Sequence, residues 1–220
     1  MRGKSVLTLL VPLVFSMNLL MAAEWDVEYW QYLNWKNWER GPYKLYTAGE
    51  IRANHDISTL YFYRITEGFA YRASPYLDLE AHYTYIYDKP ITATHFRNVQ
   101  RYEFEVNPFY TLANGISLKW KNRFELIKIQ NVSPLEKVLR HQFKVSFPIK
   151  NRGRLIEISC SDEVFYKFNT YTFYQNRFIP LELIFQLTPK STFALFTMIR
   201  NFKSGPSWYR SVVLGTRIGF

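Results

Sequence analysis

Residues 101–110 read RYEFEVNPFY, and this stretch alternates between two kinds of side chain. Aromatic residues such as Tyr102 and Phe104 take every second position, and charged residues such as Arg101 and Glu103 stand between them. A period of two is that of a β-strand, whose successive side chains point to opposite faces. The stretch therefore predicts a strand with one apolar, aromatic face and one charged face.

Runs with this pattern recur along the chain and are separated by turn residues. Each run is long enough to cross a membrane, because a tilted membrane-spanning strand needs about 9–11 residues. Short connections such as 113–115 alternate with longer ones such as 88–97, as in barrels with short periplasmic turns. Bacterial single-chain barrels have even strand numbers. We therefore expect ten strands, if the first run is not a full strand, or preferably twelve. The eleven runs are 25–36, 43–54, 60–73, 76–87, 98–112, 116–129, 137–148, 154–166, 172–187, 191–202 and 209–220.

Composition points to a membrane barrel. Aromatic residues make up 19% of the 220 residues, with 17 Tyr and 18 Phe, yet the mean hydropathy is mildly polar. Many aromatics at low hydropathy suit strands that alternate between lipid and a polar lumen. We predict an all-β fold, a single antiparallel transmembrane β-barrel of 10–12 strands. A soluble exported β-sandwich, which would also alternate, is the competing fold.

The net charge and the cysteine count limit the classes of partner and the covalent cross-links that this chain can have. The net charge is +10, and the basic residues are spread along the chain rather than clustered. For an exported chain this favours anionic lipid headgroups or an anionic solute over nucleic acid. Cys160 is the only cysteine, so no disulfide can form within the chain. We expect outer-membrane lipids as partners, no nucleic acid and no cofactor.

The first residues have the layout of a secretory signal peptide. Arg2 and Lys4 precede an apolar stretch, 6–20, which ends shortly before Ala22 and Ala23. The alternative is an anchoring helix, but about 15 apolar residues are short for a span that needs roughly 20. We predict a signal peptide over 1–23, cleaved after Ala22 or Ala23, and an outer-membrane barrel over 24–220.

The last residues, WYRSVVLGTRIGF, resemble the terminal signature of outer-membrane barrels, which is read by the barrel-assembly machinery. That signature is a final Phe preceded by apolar residues at every second position, and Thr216 is the one weak position here. The resemblance implies insertion by that machinery into a Gram-negative-type outer membrane. The residues that match the signature are Val212, Leu214, Ile218 and Phe220.

Nearly the whole chain after the apolar leader resembles a bacterial family known as domain of unknown function 2490. The resemblance implies an outer-membrane barrel and no catalytic activity. It rests on the order and spacing of several fragments: WQYLNW, EIR, RYEFEVNP, KNRFEL, RHQFKVSFPI, and DEVFYKF followed by FYQNR.

Charged residues on the polar faces of successive strands form the candidate functional site. One interpretation is a cross-strand network of ion pairs that fills a narrow barrel. The other is a polar conduit whose charges select a solute. The predicted lumen network comprises Glu50, Arg52, Glu80, Arg101, Glu103, Glu105, Arg123, Glu125, Arg140, Glu157 and Arg177.

A lipid-modifying enzyme, such as a lipase or deacylase, is the alternative function. Of the four histidines, His82 lies on a polar strand face near Asp78 and Glu80. A serine nucleophile needs a base within hydrogen-bond reach, and the sequence has no G-x-S-x-G motif. The scattered histidines also lack the spacing of a zinc site. We predict no catalytic or metal site, and a barrel that is structural or passes small polar or anionic solutes through a narrow charged lumen.

Overall fold

The computed structural model describes residues 25–90, 93–150, 153–205 and 207–220. The predicted signal peptide, residues 1–23, lies outside them. In the part of the chain so described, no helix is long and apolar enough to span a membrane. The strands are β1 (Trp25–Arg40), β2 (Tyr43–Asn54), β3 (Thr59–Ser74), β4 (Leu77–Asp88), β5 (Arg97–Thr111), β6 (Ser117–Ile129), β7 (Glu136–Pro148), β8 (Leu155–Lys167), β9 (Thr172–Thr188), β10 (Ser191–Ser204) and β11 (Ser207–Gly219).

The eleven strands form one sheet that closes into a barrel, in which each strand lies beside its sequence neighbours and β1 closes on β11. The all-β barrel prediction is confirmed, and the two-sheet sandwich is excluded. Eleven strands lie within the predicted range of 10–12, whereas the expectation of an even number, ten or twelve, is wrong. An odd number of up-and-down strands brings the last strand back in the direction of the first, so β1 and β11 pair in parallel, from Trp25↔Arg210 to Asn34↔Gly219. Every other neighbouring pair is antiparallel.

The first strand is longer than its sequence pattern indicates. The predicted run ended at residue 36, whereas β1 continues to Arg40 and pairs with the start of β2. The pairing is irregular between Lys36 and Trp38, and that irregularity interrupts the period of two. The turn into β2 contains Gly41 with a φ of 58°, a left-handed conformation that glycine adopts without steric cost.

The barrel is polar inside and apolar outside. Among the described residues, 24 buried side chains are polar or charged and 10 are hydrophobic. Large hydrophobic side chains such as Ile65, Phe104 and Leu195 are instead exposed on the outer face. Two polar groups there, Glu67 and His141, are hydrogen-bonded to the neighbouring side chains of Thr47 and Asn122. This distribution is the reverse of the usual one, in which apolar residues are most often buried and charged residues are mostly exposed.

Exposed aromatic side chains form a band near each rim. At the rim that carries the C-terminus, Trp35 stacks on Phe220 with ring centroids 5.9 Å apart. The same rim carries further aromatic contacts between Tyr43 and Tyr71, Tyr76 and Tyr110, and Trp120 and Phe143. The opposite rim carries contacts between Tyr63 and Phe96, Tyr87 and Phe96, and Tyr166 and Phe173.

Apolar packing inside the barrel forms two buried clusters, one on β3, β4 and β5 and one where the barrel closes. Trp30, Phe196, Met198 and Val213, from β1, β10 and β11, form one buried cluster. The Phe196 ring lies directly over Gly215, where an added Cβ would stand 1.9 Å from the ring. The strand therefore requires glycine at this position.

Candidate functional site: the charged interior

The centre of the interior is a continuous ion-pair network on β5, β6 and β7. Glu103 contacts Arg101 Nε at 2.5 Å and Arg123 Nη1 at 3.0 Å. Arg123 also pairs with Glu105 and, at 3.5 Å, with Glu125. These side chains share one sheet face because they stand at alternate positions, and the antiparallel register sets Glu103 opposite Glu125.

The network continues across β7 and β8 through Arg140, whose Nη1 donates to Glu125 Oε1 at 2.7 Å. Its Nε and Nη2 both donate to Oε1 of Glu163, at 3.0 and 2.7 Å. Arg177 on β9 lies at the end of this series of ion pairs, with its Nη1 3.8 Å from Glu163. Buried charges are stable only when paired and hydrogen-bonded, and the arrangement meets that requirement on β5 to β8 but not at Arg177.

His82 belongs to the same network. Its Nδ1 is 3.0 Å from Glu103 Oε2, and its Nε2 is 2.6 Å from the Tyr46 hydroxyl and 3.2 Å from Glu80 Oε2. The ring is buried in the barrel interior. The hydrogen bonds of His82 thus go to carboxylates and a phenol rather than to a serine, as nucleophilic catalysis would need.

The ligand atoms of Glu80, His82 and Glu105 lie within 4.8 Å of one another, a spacing that a metal ion could bridge. The same carboxylates accept hydrogen bonds from Asn107 Nδ2, at 2.8 and 2.9 Å. Lys121 Nζ also stands 3.4 Å from Glu105. This acidic cluster is therefore joined to the ion-pair network through Asn107 and Lys121.

The structure brings together nine of the eleven predicted network residues in two groups. Glu50 and Arg52 pair at 2.6 Å as one group. Glu157 lies apart, one-third exposed, with Lys144 Nζ 3.8 Å away, and Arg177 joins only by its long contact to Glu163. The larger group contains Glu80, Arg101, Glu103, Glu105, Arg123, Glu125 and Arg140.

Several charged residues of the barrel interior are not among the eleven residues predicted from the sequence. The alternation already marked some of them, because Lys121 and Glu163 share strand parity with the predicted Arg123 and Glu157. Others follow only from register, since the pairing of β2 with β3 sets Arg64 opposite Glu50. The missed interior residues are Glu28, Arg64, His82, Lys121, Lys144, Glu163, Glu182, Arg200 and Arg217.

Aromatic rings supplement the carboxylates as partners of the buried arginines. The Arg52 guanidinium lies 3.7 Å from the Trp30 ring centroid and 4.0 Å from that of Phe62. Arg177 lies between Trp30 and Phe165, at 5.0 and 4.6 Å. Cation–π contacts of this kind strengthen when the groups are desolvated.

Two cavities open within the barrel. One, of about 580 Å³, lies at the rim where β1 begins and is lined by charged and aromatic residues that include Asp26, Arg200 and Tyr209. The second, of about 150 Å³, lies deeper. Trp30 lines the deeper cavity, and its Nε1 donates at 2.8 Å to Glu28, which lines the first. The Trp30–Glu28 pair therefore lies between the two.

Residues 27–210 match a family model whose description is protein of unknown function, DUF2490. A search of curated proteins finds no match. The matched range runs from β1 into β11 and so takes in the closed barrel and nearly all of its charged interior. With most of its length covered by this model, the chain belongs to the DUF2490 family of proteins of unknown function.

Proposed function

We propose that this chain is an integral β-barrel of a Gram-negative-type outer membrane that takes small polar or anionic solutes into a narrow charged interior. The observation that carries the proposal is the inverted distribution of side chains. Monomeric soluble proteins rarely expose continuous apolar patches above a few hundred Å². A closed barrel can expose such a surface to lipid because all its backbone groups pair between strands.

The ends of the strands support the same proposal. Exposed aromatics near both rims occupy the level at which membrane interfaces place aromatic girdles. In the orientation we propose, Phe220 and the short turns face the periplasm, and the 580 Å³ cavity opens to the outside. Residues 1–23 serve as the export signal, and the strand that ends at Phe220 is the segment read by the barrel-assembly machinery.

The interior supports passage of small solutes rather than a wide aqueous pore. The lumen is filled by paired charges, and the Trp30–Glu28 pair lies between its two cavities. Large porins instead leave an open aqueous channel. A filled lumen of this kind selects by charge and excludes bulky solutes.

Fractionation combined with heat-modifiable gel migration tests the membrane assignment. The full chain should be recovered in the outer-membrane fraction and should migrate faster when unheated than when boiled. Recovery of the mature protein in the soluble periplasm would contradict the proposal.

A matched pair of substitutions tests which face meets lipid. Phe104 is exposed in the middle of β5, whereas Leu135 is exposed in the connection between β6 and β7. Arginine on the lipid face costs about 2–4 kcal/mol near the bilayer midplane and little near the interfaces. Phe104→Arg should therefore lower the free energy of unfolding in lipid vesicles by that amount, and Leu135→Arg by less than about 1 kcal/mol. Equal losses of stability for the two substitutions would count against contact between the apolar outer face of the barrel and lipid.

Planar-bilayer recording tests solute passage. The purified barrel should give small unitary currents with a preference for anions, and it should exclude an uncharged oligosaccharide. A membrane-inserted barrel with no measurable current would contradict passage and leave a purely structural role.

A further inference from the structure

The deeper cavity is lined by far more positive than negative charge. Its volume is about 150 Å³, and among the described residues that line it only Glu163 carries a carboxylate. The glutamates that pair with the lining cations, such as Glu50, Glu105 and Glu182, do not line the cavity themselves. The cations that line it are Arg64, Lys121, Arg123, Arg140, Arg177 and Arg217.

Arg177 is the lining cation with the weakest carboxylate contact. Its Nη1 stands 3.8 Å from Glu163, which is too far for a hydrogen bond, and Oε1 of Glu163 accepts two hydrogen bonds from Arg140. With its amide oxygen turned toward the arginines, Gln175 accepts from Arg177 Nη2 and Nε at 3.0 and 2.7 Å. A neutral amide satisfies donors without cancelling the charge, so positive charge at Arg177 remains incompletely offset.

Apolar side chains also line this cavity, close to the cations. They are Trp30, Ile179, Phe196 and Met198, and three of them belong to the buried cluster at the barrel closure. A site lined by both cationic and apolar side chains matches an anion that has an apolar part. Arginine binds carboxylates in particular, through its planar fork of donors.

We propose that this cavity binds a small organic carboxylate, with its anionic group toward Arg177 and its short apolar part against Trp30, Ile179 and Met198. The inference rests on the proposed function, because the ligand must reach the barrel interior. A volume of 150 Å³ equals that of about five water molecules in the liquid, which suits a chain of about four carbon atoms. Inorganic phosphate would meet the cations but would leave the apolar side chains of the cavity without a partner.

Titration calorimetry on the purified full-length barrel in a neutral detergent tests the inference. The probes are butyrate, inorganic phosphate and butylammonium, which keeps the butyl chain and reverses the charge. Butyrate should bind at least tenfold more tightly than either of the others. Equal binding of butyrate and phosphate would overturn the apolar part of the site, and equal binding of butyrate and butylammonium would overturn its anion selectivity.

Two matched variants locate the site. Arg177→Gln should weaken butyrate binding at least tenfold. Arg97→Gln should change butyrate binding less than twofold, because Arg97 pairs with Asp88 in the cavity at the rim and does not line the deeper cavity. Ile179→Phe keeps every charge and fills the space, so it should also abolish binding. Unchanged binding in both Arg177→Gln and Ile179→Phe would overturn this location, and heat-modifiable migration of each variant verifies that it folds.

The outcomes separate this inference from the proposed function. If the barrel inserts and conducts but butyrate does not bind, the carboxylate site is refuted and the membrane role stands. If the chain is recovered as a soluble periplasmic protein, the proposed function itself fails, whatever it binds.

Discussion

The two sides of the barrel interior are held together by different interactions. On β4 to β8 the buried side chains are mainly polar or charged, and Glu103 contacts Arg101, Arg123 and His82. At the closure of β1, β10 and β11 the buried cluster is apolar and includes Trp30. The antiparallel strands of the charged side follow one another directly along the chain, whereas the closure joins the first and last strands in parallel. Ion pairs are therefore prominent in the meander, whereas the seam combines close apolar packing with the ion pair of Glu28 and Arg200.

The largest expected effect comes from removing the central carboxylate of the charged side. Glu103→Ala removes the carboxylate that contacts Arg101, Arg123 and His82 together. Removing one member of a buried ion pair costs about 3–5 kcal/mol, and we expect that decrease in the free energy of unfolding, measured by urea denaturation in lipid vesicles.

Glu157→Ala is the matched control for this substitution. Glu157 is one-third exposed and stands 3.8 Å from Lys144, so its loss should cost less than about 1 kcal/mol. Similar losses for the two alanine variants would show that the central network is not the stabilising element of the charged side.

A moderate effect is expected at the seam. An alanine Cβ at Gly215 would stand 1.9 Å from Cζ of Phe196, and overpacking of this kind costs about 1–3 kcal/mol. Gly215→Ala should lower the temperature at which the unheated, faster-migrating gel band disappears. Phe196→Leu in the same chain should restore part of that loss, because the two residues share one space.

Gly49→Ala serves as the control for the seam. Its added Cβ meets only Leu33 Cβ, at 4.0 Å, so the gel transition should stay close to that of the unaltered chain. If Gly215→Ala behaved in the same way, the close packing of Phe196 on β11 would not be what holds the closure.

The smallest effect is expected at the rim, outside both sides of the interior. Lys167 and Glu136 pair at 2.5 Å with a quarter of each side chain exposed. Ion pairs open to water contribute no more than about 1 kcal/mol, so Lys167→Met should change the urea midpoint little. A loss comparable with that of Glu103→Ala would mean that burial does not distinguish the interior pairs from this one.

The sequence by itself determined where the strands lie and which residues share a face. Residues 101–110 illustrate this, since Tyr102 and Phe104 lie outside and Glu103 and Glu105 inside, as their alternation predicted. Such information is local, because the period of two follows from the geometry of a single strand. The family resemblance, also read from sequence, agrees with the match over residues 27–210.

Only the tertiary structure decided how the barrel closes and which inward charges meet. The alternation of β1 and of β11 is the same whether ten, eleven or twelve strands close the sheet, so the parallel seam could not be read from either. Likewise, Glu157 and Glu163 have the same parity on β8, yet Arg140 reaches only Glu163. Strand register and closure depend on contacts between residues far apart in the chain, and for that reason the deeper cavity with Arg177 and Trp30 on its walls appears only in the folded barrel.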